Sequence, residues 1–219
     1  MKKRQATYFA IGGLLLTAFA AWTAAISFVD VRPIGSQGSM VGLSAFNSWF
    51  HTVTGVHFSL YRITDWLSLI PVIFALGFAF LGLVQWIRRG SVRKVDKSIL
   101  ALGGFYVAVF GIYLLFEVVI MNYRPVLIEG VLEASYPSST TVLVLSVMLT
   151  GLMQLRQRMK ASRIRKIVLA AIYTYTVFMI LGRLISGVHW ITDIIGGVLL
   201  SCGLVVVYYA VCITLEVKK

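Results

Sequence analysis

The stretch "WLSLIPVIFALGFAFLGLVQWIRRGSVRKVDK", residues 66–97, combines an apolar run long enough to cross a bilayer with a basic segment directly after it. A membrane-spanning helix needs about 20 mostly apolar residues. Six stretches meet this requirement: residues 8–29, 66–87, 98–121, 138–155, 167–187 and 190–214. The sequence therefore predicts an all-α, polytopic membrane protein with six transmembrane helices, organised as a single membrane-embedded domain over residues 1–219.

The composition agrees with a membrane protein and argues against a nucleic-acid-binding one. Of the 219 residues, 59% are hydrophobic and only 13% are charged, unlike an ordinary soluble domain. A net charge of +12 could indicate a nucleic-acid surface, but such a surface needs its basic residues on one solvated face. Here they lie in short segments between apolar runs. We therefore expect membrane lipid, and no nucleic acid, as a partner.

The basic residues also predict the orientation in the membrane. Sixteen of the 20 Lys and Arg residues lie at the two ends of the chain and in the segments "RRGSVRKVDK" and "RQRMKASRIRK". The positive-inside rule then predicts that both termini and these two connections are cytoplasmic. The four exceptions are predicted at the opposite face and need another explanation: Arg32, Arg62, Arg124 and Arg183.

The first apolar run follows the basic start "MKKRQ", which is also the pattern of a signal peptide. The run is longer than the apolar region of most signal peptides, and no clear cleavage site of small residues precedes the next polar loop. We therefore interpret it as a retained helix.

The long connection between the first two spans, residues 30–65, predicts an interfacial helix. Its apolar residues recur at helical spacing: Leu43, Phe46, Phe50 and Val53. Such a helix can serve as an anchor in the headgroup layer or as a lid over a lipid entrance, and the pattern allows both. His51 and His57 lie in the same connection, where a lone histidine is a weak candidate for catalysis.

Polar residues at the ends of later spans predict an anion site at the extracytoplasmic face. Arg124 follows the third span, and Arg183 lies at the end of the fifth. Two arginines at one depth favour phosphate, because guanidinium groups match its oxygens in bidentate geometry. The fourth span opens with "PSSTT", in which Pro137 favours a helix start and Ser138 and Ser139 accompany free backbone N–H groups that bind phosphate.

His189 and Asp193 are four residues apart and therefore share one face of a helix. A carboxylate there can fix the imidazole tautomer, which leaves the other ring nitrogen free to attack phosphorus. Together with the arginines and the amide groups, this pair predicts phosphoryl transfer through a phosphohistidine. Each feature alone also has a structural explanation, as a snorkelling arginine, a helix cap or a simple hydrogen bond. One histidine with one carboxylate is a poor ligand set, so we expect no metal.

At these residues the sequence resembles the type 2 phosphatidic acid phosphatases, the membrane lipid phosphate phosphatases. Their pattern is Lys-x6-Arg-Pro, then Pro-Ser-Gly-His, then Ser-Arg-x5-His-x3-Asp, and "GRLISGVHWITD" keeps the third motif with Gly182 in place of serine. The resemblance implies six spans, no cofactor and a lipid phosphate substrate, and together with the size of the chain it implies a bacterial plasma membrane. It also implies that His189 is the nucleophile, that Asp193 orients it, and that Arg124, Arg183 and Ser138 hold the phosphate.

The sequence departs from that pattern at two positions. Glu117 stands where the family has a phosphate-binding lysine, and we expect it to pair with Arg124 or Arg183 or to be neutral through burial. Thr140 stands where the family has the histidine that protonates the leaving group. A hydroxyl is too weak an acid for that role at neutral pH.

These departures favour a substrate whose leaving group needs no proton. An alkoxide leaving a monoester needs one, whereas the phosphate leaving a diphosphate is already a stable anion. The leading hypothesis is therefore a phosphatase or phosphotransferase acting on a lipid diphosphate, such as a polyprenyl diphosphate of cell envelope synthesis. The alternative is a non-catalytic protein that binds or helps to move a phosphorylated lipid.

Overall fold

The structure, a computed structural model, describes residues 2–217 and the side chains of residues 3–215. Eight α-helices lie within this described part: α1 (Lys2–Phe28), α2 (Ser44–Thr54), α3 (Phe58–Leu67), α4 (Leu69–Arg89), α5 (Lys97–Val118), α6 (Ser139–Arg158), α7 (Arg163–Ile185) and α8 (Ile191–Val217). Met1 and the basic residues Lys218 and Lys219 lie outside the described residues, so the domain bounds of 1–219 remain a prediction.

The prediction of six membrane spans is confirmed for the described residues. Six helical segments are long and apolar enough to cross a membrane: Lys3–Phe28, Phe58–Arg89, Lys97–Val118, Ser139–Arg158, Arg163–Ile185 and Ile191–Leu215. The chain is thus a multi-pass membrane protein. The second segment differs most from its prediction, because helix α3 already begins at Phe58 and runs almost directly into α4.

The break between α3 and α4 has a local cause. Pro71 has no N–H to donate, and its ring would clash with the carbonyl of Leu67 in a continuous helix. The first helix accordingly ends at Leu67, and the next begins at Leu69. The polar residues before this break led the sequence analysis to place the start of the span eight residues too late.

Helix α6 lies at the centre of the bundle, where it packs against α4, α5, α7 and α8. Its polar residues Ser146, Thr150 and Gln154 recur every fourth position and are all buried. Gln154, for example, donates a hydrogen bond from Nε2 to the hydroxyl of Tyr208 at 2.6 Å. This central position explains why α6 is the least apolar of the six spans, since protein rather than lipid surrounds it.

The connections that carry most of the basic residues meet at one end of the bundle, here called the basic end. Asp96 accepts hydrogen bonds there from Arg158, Arg89 and Gln85, each at 2.9 Å. The bond from Arg158, followed by those from Arg89 and Gln85, lowers the pKa of Asp96 to about 2. This carboxylate therefore joins the connection between α4 and α5 to the end of α6.

The opposite end, here called the site end, carries the predicted interfacial helix α2. Trp49 and Val53 on this helix are 60% and 68% exposed, whereas Asn47 is fully buried and bonds to Thr192 of α8. The helix thus has one outward apolar face and one face fixed to the bundle, which confirms the prediction of an amphipathic helix between the first two spans.

The connection between α2 and α3 touches the turn between α7 and α8. A Cβ atom on Gly187 would lie 1.9 Å from the carbonyl oxygen of Gly55, so only glycine allows this approach. The backbone N–H of His57 donates to the carbonyl of Ser186 at 2.9 Å across the same contact. The turn that holds His189 is therefore fixed from the side by the interfacial region.

Candidate active site

The connection between α5 and α6 brings two polar side chains to the site end. Its two arms pair in antiparallel fashion: the N–H of Arg124 donates to the carbonyl of Glu133 at 3.1 Å, and the N–H of Ser135 donates to that of Asn122 at 2.9 Å. These two hydrogen bonds flank the backbone bridge between Tyr123 and Ala134. Arg124 and Ser135 are thereby held in fixed relation to each other.

The end of α7 and the start of α8 supply the other residues of the site. Arg183 lies in the last turn of α7, His189 in the connecting turn and Asp193 in the first turn of α8. All three are buried, with 2%, 3% and 0% exposure respectively. The polar residues predicted at the ends of separate spans are therefore brought together at one end of the bundle.

Both arginines meet the same nitrogen of the His189 ring. Nη1 of Arg124 lies 3.2 Å from Nε2 of His189, and Nη2 of Arg183 lies 3.4 Å from it. Burial, and next the positive charges of Arg124 and Arg183, hold the pKa of His189 well below its usual value. The ring is therefore neutral, with the lone pair of Nε2 turned toward the two guanidinium groups.

The other ring nitrogen contacts a residue that the sequence analysis did not select. Oγ of Ser135 lies 3.1 Å from Nδ1 of His189 and donates to Oδ2 of Asp193 at 2.5 Å. The direct distance from Nδ1 to Oδ2 of Asp193 is 3.7 Å, too long for the predicted hydrogen bond. Asp193 and His189 are neighbours, as their spacing predicts, but a serine hydroxyl connects them.

Each arginine is also paired with a carboxylate. Nε of Arg124 lies 3.0 Å from Oε2 of Glu133, and Nη1 of Arg183 lies 3.6 Å from Oδ1 of Asp65. The Arg183 guanidinium also stacks over the ring of Tyr61 at 4.8 Å. Its Nε has no hydrogen-bond partner among the described residues, although the side chain is almost fully buried. A buried donor without a partner is costly, so a ligand oxygen would be favoured there.

The start of α6 borders the same region. Ser138 is fully buried: its N–H donates to the carbonyl of Asp193 at 3.1 Å, and its Oγ accepts from the hydroxyl of Thr141 at 3.1 Å. Ser139 and Thr140 follow in the first helical turn, where backbone N–H groups have no partner within the helix. These amide groups can therefore bind an anion, as "PSSTT" predicts.

A cleft of about 840 Å³ opens at this site. The polar residues that line it include Asp65, Glu117, Arg124, Glu133, Ser135, Ser139 and Thr140. Its remaining wall is largely apolar and aromatic, with contributions from α5 and α6 that include Val109, Phe110, Ile112, Phe116, Val142 and Leu143. His189 is covered by Arg124 and Ser135, which contact it and face the cleft.

The expected pairing of Glu117 is wrong. Glu117 lines the cleft from α5 and is exposed rather than buried. The arginines have other carboxylate partners, Glu133 and Asp65, and the side chain that interacts with Glu117 is Tyr113. The reason lies in the α5–α6 connection, because the pairing of its two arms places Glu133 beside Arg124.

The two histidines of the interfacial region do not join the site. Nε2 of His51 lies 3.2 Å from the carbonyl of Gly187, and Nε2 of His57 lies 2.8 Å from that of Thr54. Both contacts tie backbone segments together. Within the described residues, no group of three or more His, Cys, Asp or Glu side chains could hold a metal ion.

Three residues that contact the predicted site were not among those selected from the sequence: Ser135, Glu133 and Asp65. Two of them lie in the same polar segment as "PSSTT", but only the pairing of the loop arms shows which side chains face His189. Asp65 had a clearer signal, because a carboxylate beside an apolar run is costly unless it has a partner.

The fold and the site define a class of protein: a membrane bundle of six spanning helices with a buried histidine between two arginines and a serine–aspartate pair. The chain belongs to the PAP2 superfamily, whose family model matches residues 10–215. This finding confirms the resemblance predicted from the motifs. The chain thus has the fold of a membrane lipid phosphatase.

Comparison with solved structures agrees with this family. The structure is similar to the crystal structure of the first transmembrane PAP2 type phosphatidylglycerolphosphate phosphatase from Bacillus subtilis, with a TM-score of 0.64. The match covers 95% of this chain and 98% of that one at 16% sequence identity, so it supports the fold alone. No curated protein sequence matches this chain significantly.

Proposed function

We propose that this protein is a lipid phosphatase or phosphotransferase that acts on a lipid diphosphate through a phosphohistidine at His189. The observation that carries the proposal is the meeting of Arg124 and Arg183 at Nε2 of His189, at 3.2 and 3.4 Å. Donors placed around a nucleophilic nitrogen would bind the oxygens of a phosphoryl group and bring phosphorus to that nitrogen.

The chemistry follows from the protonation of the ring. Nε2 of neutral His189 attacks the terminal phosphorus, a nitrogen–phosphorus bond forms, and the bond to the bridging oxygen breaks. The electron pair stays on that oxygen, which leaves as part of the lipid monophosphate. Water, or an acceptor hydroxyl in a transferase, then attacks phosphorus, and the electron pair of the nitrogen–phosphorus bond returns to Nε2. The proton of the attacking hydroxyl passes to a phosphate oxygen of the product.

The binding groups divide between two sides of the phosphate. The guanidinium groups of Arg124 and Arg183 would hold its oxygens on the side of His189. The free backbone N–H groups at the start of α6, with the hydroxyl of Ser139 in the cleft wall, would hold its other oxygens. Ser138 would support this turn rather than bind, because it is fully buried and its N–H and Oγ are already hydrogen-bonded. Both sets of donors are fixed before the substrate binds, which favours stabilisation of the developing charge.

The substitution at Thr140 favours a diphosphate over a monoester. Thr140 lines the cleft at the start of α6, where its hydroxyl can donate a hydrogen bond but cannot protonate an alkoxide at neutral pH. Loss of a general acid typically costs about 10²- to 10⁴-fold, and this penalty falls on poor leaving groups. A departing phosphate needs no proton and would be affected least.

The wall of the cleft fits a lipid substrate. Its polar part contains the candidate phosphate site, and its apolar part continues along α5 and α6, so a headgroup and a hydrocarbon chain could bind together. The charge distribution supports an extracytoplasmic site and cytoplasmic termini, because most basic residues lie at or beside the opposite, basic end.

One observation favours the alternative, a non-catalytic protein that binds or helps to move a phosphorylated lipid. Three carboxylates line the cleft, those of Asp65, Glu117 and Glu133, and two of them are paired with the arginines of the site. They reduce the net positive charge available to a phosphate. This arrangement would weaken the stabilisation of a transition state more than it would prevent binding.

Phosphate release by the purified protein tests the proposal. Reconstituted protein is incubated with a polyprenyl diphosphate, a polyprenyl monophosphate and phosphatidic acid, and His189→Ala serves as the control for contaminating phosphatases. We expect release from the diphosphate to be fastest and to depend on His189. Binding of these lipids without release from any of them would favour the non-catalytic alternative.

A further inference from the structure

Ser135 occupies the position between the two members of the predicted histidine–aspartate pair. Its Oγ lies 3.1 Å from Nδ1 of His189 and 2.5 Å from Oδ2 of Asp193, whereas those two atoms are 3.7 Å apart. Ser135 is 2% exposed, and the other two side chains are similarly buried. Its hydroxyl therefore provides the hydrogen-bonded link between them.

The direction of this link follows from the donors available. A carboxylate only accepts, so the hydroxyl hydrogen of Ser135 points to Asp193 and its lone pairs point to Nδ1. Nδ1 must then carry the ring hydrogen, and Nε2 must be free of one. The N–H of Trp190 also donates to Oδ2 of Asp193 at 2.9 Å, and Nδ2 of Asn122 lies 3.5 Å from Oδ1. These contacts fix the carboxylate that holds the serine.

The same loop pairing controls both nitrogens of the ring. Arg124 and Ser135 lie on the two arms of the α5–α6 connection, which are joined by the backbone bonds from Arg124 to Glu133 and from Ser135 to Asn122. One arm presents a guanidinium to Nε2, and the other presents a hydroxyl to Nδ1. The connection therefore sets both the position and the tautomer of His189.

We infer that Ser135 is a positioning residue, which transmits the effect of Asp193 to His189 by accepting the proton that Nδ1 carries. The inference rests on the proposed function in one respect, namely that Nε2 of His189 is the atom that attacks phosphorus. The hydroxyl is then needed twice: it holds the ring with Nε2 directed at phosphorus before attack, and it accepts from Nδ1–H when the ring becomes positively charged in the phosphohistidine.

Nitrogen NMR of the whole protein in lipid nanodiscs tests the tautomer without any substrate. The chain has 3 histidines, and the signals of His189 are identified by their loss in His189→Ala. We expect the wild-type ring to carry its proton on Nδ1. Because Arg124 and Arg183 still face Nε2 in Ser135→Ala, we expect that variant to keep the tautomer but to shift the Nδ1 signal, since the Nδ1 proton loses its acceptor. A wild-type ring protonated on Nε2 would overturn the inference, whatever the variants do.

Kinetics then test the role of the hydroxyl in turnover. We expect Ser135→Ala to lower kcat by about 10- to 100-fold with little change in KM, the range seen when a group that orients a functional histidine is removed. Ser135→Thr keeps a hydroxyl and should recover part of the rate. Ser146→Ala is the matched control, because Ser146 is a buried serine whose Oγ has no hydrogen-bond partner among the described residues.

The outcomes separate this inference from the proposed function. An unchanged kcat and an unchanged Nδ1 signal in Ser135→Ala would remove the positioning role while the phosphatase activity stands. A wild-type protein that releases no phosphate from any lipid, but whose Nδ1 signal depends on Ser135, would refute the activity and retain the positioning role. A rate loss in Ser146→Ala equal to that in Ser135→Ala would identify a general packing effect and overturn the inference.

Discussion

Arg124 contacts Glu133 through an ion pair in which Nε lies 3.0 Å from Oε2, while the same guanidinium reaches His189 through Nη1. The Arg124 side chain is 9% exposed and that of Glu133 is 40% exposed, so the carboxylate meets the arginine from the side of the cleft. A phosphate bound by Arg124 would lie close to this negative charge. Glu133 therefore positions the arginine but opposes the binding of an anion.

Replacement of Glu133 by glutamine should tighten anion binding. The amide keeps the size and polarity of the side chain beside Arg124 but removes its charge. A partly exposed ion pair is worth up to about 1 kcal/mol, so we expect anion affinity to change roughly two- to fivefold. The measurement is inhibition by orthovanadate together with KM for the lipid diphosphate. Glu129→Gln, on the exposed tip of the same loop, is the control. Weaker inhibition would mean that Glu133 acts mainly by holding Arg124 in place.

Replacement of Arg183 by lysine should impair phosphate binding although the charge is kept. A lysine has one compact charge. It cannot replace the planar guanidinium of Arg183, which directs Nη2 at Nε2 of His189 and keeps its own Nε without a partner. We expect binding of the lipid phosphate to weaken about 10- to 100-fold, the effect of losing a charged hydrogen bond. The control is Arg62→Lys, which replaces an exposed arginine on α3 and should bind the lipid phosphate normally. Equal losses in both variants would point to a general charge effect.

Variants of the proposed nucleophile and of its partner test the assignment of catalytic roles. His189→Ala should abolish phosphate release, and Asp193→Asn should reduce it by on the order of 10²-fold, because the amide no longer fixes the protonation of the ring through Ser135. His51→Ala should release phosphate at the normal rate, since its ring bonds to the carbonyl of Gly187 outside the site. Undiminished turnover by the His189 variant would place the chemistry elsewhere.

The two departures from the family pattern can be reversed together. Thr140→His should place a proton donor beside the leaving group, and monoester hydrolysis should gain up to about 10²-fold while diphosphate hydrolysis gains little. Glu117→Lys adds a cation to the same cleft, so the two single variants and the double variant form a cycle in which coupling can be measured. A double variant that binds lipid phosphate but cleaves neither substrate would favour the non-catalytic alternative.

Labelling of introduced cysteines tests the orientation. Glu129 is exposed in the α5–α6 connection at the site end, and Ser91 lies in the connection between α4 and α5 at the basic end. Glu129→Cys should react with an impermeant thiol reagent in intact cells, and Ser91→Cys should react only after the cells are opened. The unsubstituted chain, with its two cysteines in α8, is the control. The reverse pattern would place the site in the cytoplasm.

The sequence by itself determined the number of spans, the helical class and the residues of the candidate site. Spans can be read from sequence because the bilayer requires about 20 apolar residues in each, wherever the helices later pack. Four residues of the candidate site could be selected because charged groups at the ends of spans are costly, and because the residues match motifs of fixed spacing: Arg124, Arg183, His189 and Asp193.

The tertiary structure alone decided how these residues are connected. Ser135 stands between His189 and Asp193, and Glu133 rather than Glu117 pairs with Arg124, because the arms of the α5–α6 connection form backbone hydrogen bonds in one register. Such a register depends on where α5, α6 and α8 meet in space. Neither helical periodicity nor motif spacing contains that information, so the contacts of a loop follow from the packing of the helices that it joins.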